Sequence, residues 1–236
     1  MNTATTSVVA VDWGTSRLRI WPLDGNGAAK SCHRSDRGMR TVSRDEFEQV
    51  LAAQLQQLDV PADTPVIMCG MVGSRQGWQE APYNSVPCRI DAIAANAAQI
   101  NDVDRDIRIL PGIANFDATH PDVMRSEETQ LLGLYDMSGS ALTGMICMPG
   151  SHAKWVRFDK GEVLDFATSM SGELFAALGA SSVLQHSLKN AGKQVDPESR
   201  VFLDAVSRSL AEPATILTRL FAARPQSLIN QMSDDE

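Results

Sequence analysis

The chain opens on an apolar run, Val8-Val9-Ala10-Val11, that stops at Asp12 and is followed by Trp13-Gly14-Thr15-Ser16. An unbroken run of this length predicts a β-strand covered on both faces. Asp12 stands where that strand would leave its sheet. The next positions alternate, with Leu18 and Ile20 on one face and Thr15, Arg17 and Arg19 on the other, which predicts a second strand. Asp24-Gly25-Asn26-Gly27 is a turn signal, and residues 28–34 predict a third, antiparallel strand. A polar loop over 34–40 leads to Ser43-Arg44-Asp45-Glu46, a capping box. Phe47, Val50, Leu51, Leu55 and Leu58 then recur at helical spacing, so a helix is predicted to about Leu58, ended by Pro61 and Pro65.

Val66 to Cys69 predicts a short buried strand, running into a loop with Gly70, Gly73, Gly77, Arg75, Gln76 and Trp78. The alanine-rich stretch 91–100 predicts a helix, and Ile107 to Leu110 another strand closed by Pro111-Gly112. Ser126 is placed to cap a further helix, with Glu127 and Glu128 in its first turn. Thr143 to Met148 reads as a buried strand ending in Pro149-Gly150-Ser151-His152, and Asp159-Lys160-Gly161 turns it into a hairpin. Helices are predicted from Gly172 and from Pro197 to about Phe221. The strand, glycine, hydroxyl order at 143–151 loosely repeats that at 8–16, as two related halves would. The division is expected at Gly139–Thr143, giving domains 1–140 and 141–236.

The chemistry gathers at these strand ends. An acid, a Gly-Thr turn and two guanidiniums suit phosphoryl transfer, where catalysis is mostly positioning and charge neutralisation. The same residues also fit a solvent-exposed hairpin with incidental charges. Glu127 and Glu128 fit two roles, complementing a helix dipole or turning one carboxylate toward a substrate hydroxyl beside Arg125. His152, in a glycine loop at a strand end, suits an anion contact.

Composition narrows the classes. The formal charge of −8 over 236 residues argues against a general nucleic-acid binder and against an anionic membrane surface. No stretch is long and apolar enough to span a bilayer, and residues 1–7 carry no secretion-signal pattern. The cysteines, Cys32, Cys69, Cys88 and Cys147, are scattered without metal-ligand spacing, so reduced thiols in a cytoplasmic protein are expected.

Several segments, in order, resemble one family. They are Asp12-Trp13-Gly14-Thr15-Ser16, Met71-Val72-Gly73-Ser74-Arg75-Gln76-Gly77-Trp78, Ala81-Pro82-Tyr83, Leu110-Pro111-Gly112, Met124-Arg125-x-Glu127-Glu128-Thr129-Gln130 and Pro149-Gly150-Ser151-His152-x-Lys154-Trp155. Together they resemble the 2-dehydro-3-deoxygalactonokinase family, within the sugar kinase, heat-shock protein and actin superfamily. The resemblance implies an α/β, actin-like ATPase (ribonuclease H-like) architecture of two lobes. It implies ATP-dependent phosphorylation of 2-dehydro-3-deoxy-D-galactonate at its 6-hydroxyl, in galactonate breakdown.

Carried onto this sequence, the resemblance makes Asp12 the catalytic, Mg²⁺-organising acid. Gly14, Thr15, Ser16, Arg17 and Arg19 would surround the ATP phosphates, with Gly150, Ser151 and His152 as a second phosphate loop. Arg75, Gln76, Trp78 and Arg125 would face the substrate, and Glu127 or Glu128 would act as base. The substrate carboxylate would pair with Arg75 by preference. A small sugar acid is the expected partner, without nucleic acid or membrane, and association into a homo-oligomer is open. Two departures from the family pattern are Ser126 and Ser151, where it usually has Gly and Thr. No glycine follows Gly192, so the second lobe is expected to be truncated. Two other readings stay open: a catalytically impaired, sugar-acid-binding member, and a phosphohydrolase on the same fold.

Overall fold

The computed structural model describes residues 6–138, 141–187 and 195–229. In chain order the first elements are β1 (Val8–Trp13), β2 (Leu18–Leu23), β3 (His33–Ser35), α1 (Phe47–Gln57) and β4 (Val66–Cys69). Short strands follow, β5 (Tyr83–Ser85), β6 (Cys88–Arg89), β7 (Ala98–Ile100), β8 (Ile107–Ile109), β9 (Gly112–Asn115) and β10 (Asp122–Met124). Then come α2 (Glu127–Ser138), β11 (Thr143–Met148), β12 (Ala153–Asp159), β13 (Glu162–Ser169), α3 (Ser171–Ser181), α4 (Arg200–Ala211) and α5 (Ile216–Ile229). The architecture is mixed α/β.

The main sheet has the order β3-β2-β1-β4-β8-β7. An antiparallel meander forms one half, and β4 and β8 join β1 in parallel. Two smaller sheets run β10-β9-β5 and β11-β12-β13-β6. Val9, Val11, Trp13, Leu18, Ile20, Val66 and Met68 point to one side of the main sheet and meet Phe47, Leu51 and Leu55 of α1. Phe47 is the hinge of that core, edge-on to Trp13 at 4.9 Å and stacked on Trp78 at 5.9 Å. A second core gathers Ile90, Ile93, Ile113, Met124, Leu131, Val156, Phe158 and Val163.

The opening strand is not covered on both faces as its apolar run predicts. Burial alternates, with Val8, Ala10 and Asp12 only half-buried and Ile67 beside them on β4 exposed. That side of the sheet holds the cleft described below. Thr15 and Arg17 lie in the β1–β2 turn, which the Gly14 N–H closes on the Arg17 carbonyl at 2.9 Å, so only Arg19 of the three expected partners is in the strand. The stretch 91–100 is a 3₁₀ segment over Ile90–Asn96 followed by β7. Ile90 and Ile93, three apart, fall together on one side of such a tight helix and are both buried. The helix predicted from Pro197 is split in two by Pro213, which has no N–H to donate and whose ring displaces the preceding turn.

The chain forms two compact units, Met1–Met148 with Lys154–Ser169, and Pro149–Ala153 with Met170–Glu236. Gly139 and Ser140, part of the expected boundary, lie outside the described residues. Among the described residues no helix is long and apolar enough to cross a membrane.

Candidate active site

Asp12 is the last polar residue of β1, and β2 sets Arg19 directly opposite it. The two side chains form an ion pair between Arg19 Nη2 and Asp12 Oδ2. On the other side Asp12 pairs with Cys69, at the end of β4. The chain then turns at Gly70 with φ +104°, and a Cβ there would lie 2.6 Å from the Trp13 carbonyl and 3.1 Å from Asp12 Oδ1. Only glycine lets the backbone pass so close to the carboxylate. The β1–β2 turn is held from behind, with Met39 and Arg40 donating to the Gly14 and Thr15 carbonyls at 3.0 and 2.9 Å. Thr15, Ser16 and Arg17 are exposed at its tip.

Next to this strand end a cleft of about 320 Å³ opens on the half-covered face of the main sheet. Ala10, Trp21, Ile67 and Leu110 form its apolar floor. Asp12, Arg19, Cys69, Ser126, Thr129 and Gln130 supply the polar groups. Burial, helped by the Asp12 and Glu128 carboxylates, pushes the Cys69 thiol up to about 12, so it stays protonated. Cys69, Thr129 and Gln130 had no role in the sequence reading. Thr129 and Gln130 did stand in the segment that carried the resemblance, which was their only signal.

The segment from Arg125 to Glu128 folds back on itself. Glu127 Oε2 accepts the Arg125 N–H at 3.0 Å, and Glu128 Oε1 accepts the Ser126 N–H at 2.9 Å. This reversal puts Ser126 at φ +95°, a left-handed conformation that disfavours a side chain. An N-cap is extended, so Ser126 does not take the capping conformation predicted for it. Glu128 is fully buried, and its second oxygen, Oε2, has no hydrogen-bond partner among the described residues. Burial pushes its carboxyl up to about 7, against the two backbone donors that favour the charged form.

Arg125, expected at the cleft, is buried instead. Its guanidinium lies 4.3 Å above the Tyr83 ring and donates to the Ala81 carbonyl at 2.9 Å. Gly73 makes room for it, since a Cβ there would fall 2.8 Å from Arg125 Nη1. Arg75 and Gln76 are exposed, and Arg75 approaches Glu80 at 3.7 Å. Trp78 is committed to the Phe47 stack. Gly150, Ser151 and His152 belong to the second unit. There the Glu173 N–H donates to the Ser151 carbonyl at 3.0 Å, and His152 Nε2 is hydrogen-bonded to Glu173 Oε2.

Among the described residues no group of three or more His, Cys, Asp or Glu side chains could hold a metal ion. Among the described residues lining the cleft Asp12 alone offers a carboxylate, a donor set that fits Mg²⁺, which commonly takes one or two carboxylates and completes its shell with phosphate oxygens and water.

Comparison with known proteins identifies a family for the chain. The family model described as 2-keto-3-deoxy-galactonokinase matches residues 12–236. The protein named Probable 2-dehydro-3-deoxygalactonokinase from Rhizobium meliloti (strain 1021) is 45% identical over 94% of this chain and 72% of its own length. The 2-dehydro-3-deoxygalactonokinase of Escherichia coli (strain K12) is 35% identical over 98% of this chain and 75% of its own. The crystal structure of a candidate 2-dehydro-3-deoxygalactonokinase from Sinorhizobium meliloti superposes with a TM-score of 0.91 at 43% identity, covering 97% of this chain and 75% of that one. The chain belongs to the 2-keto-3-deoxy-galactonokinase family.

Proposed function

We propose that the chain is a kinase of carbohydrate metabolism that transfers a phosphoryl group from ATP to the 6-hydroxyl of 2-dehydro-3-deoxy-D-galactonate. Membership of the family carries the sugar-acid kinase activity. The geometry that carries the mechanism is that of Glu128, a buried carboxyl beside the cleft-lining Thr129, with Oε2 unpartnered among the described residues and burial pushing the group up to about 7. Such a group is matched to accept a proton at working pH. We take Glu128, itself fully buried but next to the cleft-lining Thr129, as the base, and Glu127, spent on the Arg125 N–H, holds the segment.

Glu128 Oε2 takes the proton of the substrate hydroxyl as its oxygen bonds to phosphorus, and the bond to the departing ADP breaks. Arg19 and the β1–β2 turn lie where charge on the phosphates is neutralised. ATP with Mg²⁺, when bound, supplies the phosphoryl group and spreads its charge, and Asp12 would hold the cation. Arg75, exposed and only loosely engaged, presents a planar fork for the substrate carboxylate. Gly150, Ser151 and His152 are, in the second unit taken by itself, the phosphate-binding loop of this reading. The order β3-β2-β1-β4-β8, a meander continued by parallel strands, supports an actin-like ATPase architecture.

A coupled ADP-release assay tests the reading, with ATP, Mg²⁺, 2-dehydro-3-deoxygalactonate, its gluconate-derived epimer and a no-sugar control. Turnover that requires the galactonate compound is expected. ADP release without sugar overturns the kinase in favour of a phosphohydrolase. Sugar binding without turnover favours a catalytically impaired member.

A further inference from the structure

Lys154 belongs to the segment Pro149-Gly150-Ser151-His152-x-Lys154-Trp155, yet the mechanism above gives it nothing to do. It is 5% exposed. Its Nζ donates to the Val123 carbonyl of β10 and to the Thr168 hydroxyl of β13, both at 2.8 Å. Thr168 in turn donates through its hydroxyl and its N–H to the two oxygens of Asp122, each at 2.7 Å. Lys154 makes no ion pair among the described residues; the nearest charge in this network, Asp122, is reached only through Thr168. Burying an ammonium on neutral acceptors is costly, and an apolar side chain would serve stability alone as well or better.

What the network fastens is specific. β10 is an edge strand, bonded by its backbone to β9 alone in its sheet. Lys154, Thr168 and Asp122 tie its free side to the β12–β13 hairpin. From β10 the chain passes through Met124, buried in the second core, straight into the strained Ser126 and the base Glu128. Lys154 does not touch Glu128. The charged and titratable groups that face the base are Glu127 and Arg125 on its own segment and Cys69 on β4, and Cys69 in turn faces Asp12 on β1 and Arg19 on β2.

We propose that Lys154 is a positioning residue for the kinase reaction: through Val123 and Thr168 it locks β10 and so sets where Glu128 meets the acceptor hydroxyl. The inference rests on Glu128 as base. Its test measures kcat, KM for both substrates, the pH dependence of kcat/KM and thermal unfolding for Lys154→Met and Thr168→Val, with Glu128→Gln in parallel. In both network variants kcat falls about tenfold to a hundredfold while KM for ATP stays nearly unchanged. The acid limb of kcat/KM moves to lower pH, because a loosened segment admits water to Glu128 and returns it toward an ordinary glutamate. The double variant is no worse than Lys154→Met alone, since both break one network. If Lys154→Met does not fold, Thr168→Val carries the same readouts.

A lowered unfolding midpoint with kcat and the acid limb unmoved overturns the positioning role. Retained activity in Glu128→Gln overturns the base assignment and this inference with it. Loss of activity in Glu128→Gln, beside an unmoved acid limb in the network variants, overturns the inference alone.

Discussion

At the scale of single residues, Glu128 and Ser126 show what the site costs the fold. The Glu128 carboxyl titrates near 7 in the folded chain, well above its ordinary 4.5. In that window the unfolded chain has already released a proton that the folded chain keeps. Stability therefore falls as pH rises from about 4.5 to about 7 and levels off above. Glu128→Gln removes the ionisable group and keeps the shape. The variant should be more resistant to urea than the parent at pH 8, with the difference shrinking toward pH 4, while kcat drops about a hundredfold or more. A variant less stable than the parent at pH 8 would mean that the charged form is well accommodated. Ser126 is a second local cost, because its φ of +95° strains any side chain. Ser126→Gly relieves that strain but loosens the unfolded chain, leaving a net gain of about 1 kcal/mol. Urea unfolding measures it, and an unchanged or lower midpoint would show that the Ser126 side chain compensates.

At the scale of elements, the site depends on a glycine far from it in sequence. Gly38 lies so close to the β1–β2 turn that a Cβ would fall 2.2 Å from the Ser16 carbonyl carbon and 2.4 Å from the Arg17 N. Both contacts are backbone, so Gly38→Ala must push the turn. We expect KM for ATP to rise about tenfold or more while binding of the sugar acid, measured calorimetrically without nucleotide, is unchanged. An unaltered KM for ATP would remove the turn from the phosphate site. The hairpin itself was legible in the sequence, since Asp12, the Gly14 turn and the alternation from Leu18 are local signals. So was α1, although its Ser43–Glu46 box is one-sided, with Glu46 Oε2 accepting the Ser43 N–H and no side-chain cap bond at the helix start; β11 covers the predicted residues, but the strand expected to be buried is a largely exposed edge of its sheet. β5, β6, β9 and β10 were not, because strands of two to four residues show no alternation, and these lack the apolar stretches that marked the equally short β4 and β8. The cleft was half legible for a related reason. Asp12 announces itself at a strand end, but Cys69 reaches it by parallel pairing and Thr129 by a helix that starts after a left-handed residue. No local pattern encodes that long-range register, so Arg125 could be expected at the cleft when it is in fact stacked beneath Tyr83.

At the scale of the whole molecule, the two compact units differ in how they are held. The first owns both large apolar cores, with Val9, Val66, Trp13 and Phe47 fully buried. In the second, neither α3 nor α4 has a buried residue, and its buried apolar side chains among the described residues are Ala153 and Leu184, the latter on the 3₁₀ turn between the two helices. Phe175, Leu210, Leu217 and Phe221 are exposed. Burial of apolar area is the main term that opposes local opening, so the units should open with very different free energies. Hydrogen exchange followed by mass spectrometry reads this directly. Amides of β1 and β4 should remain protected through the slowest phase, and those of α4 and α5 should exchange many orders faster. Saturating 2-dehydro-3-deoxygalactonate should add protection first in the segment around Arg125 to Gln130, where the cleft lies. Equal protection in α4 and β1 would mean that the apolar faces of α4 are covered in solution by another surface, and the stability of the second unit would then be a property of that association rather than of its own helices.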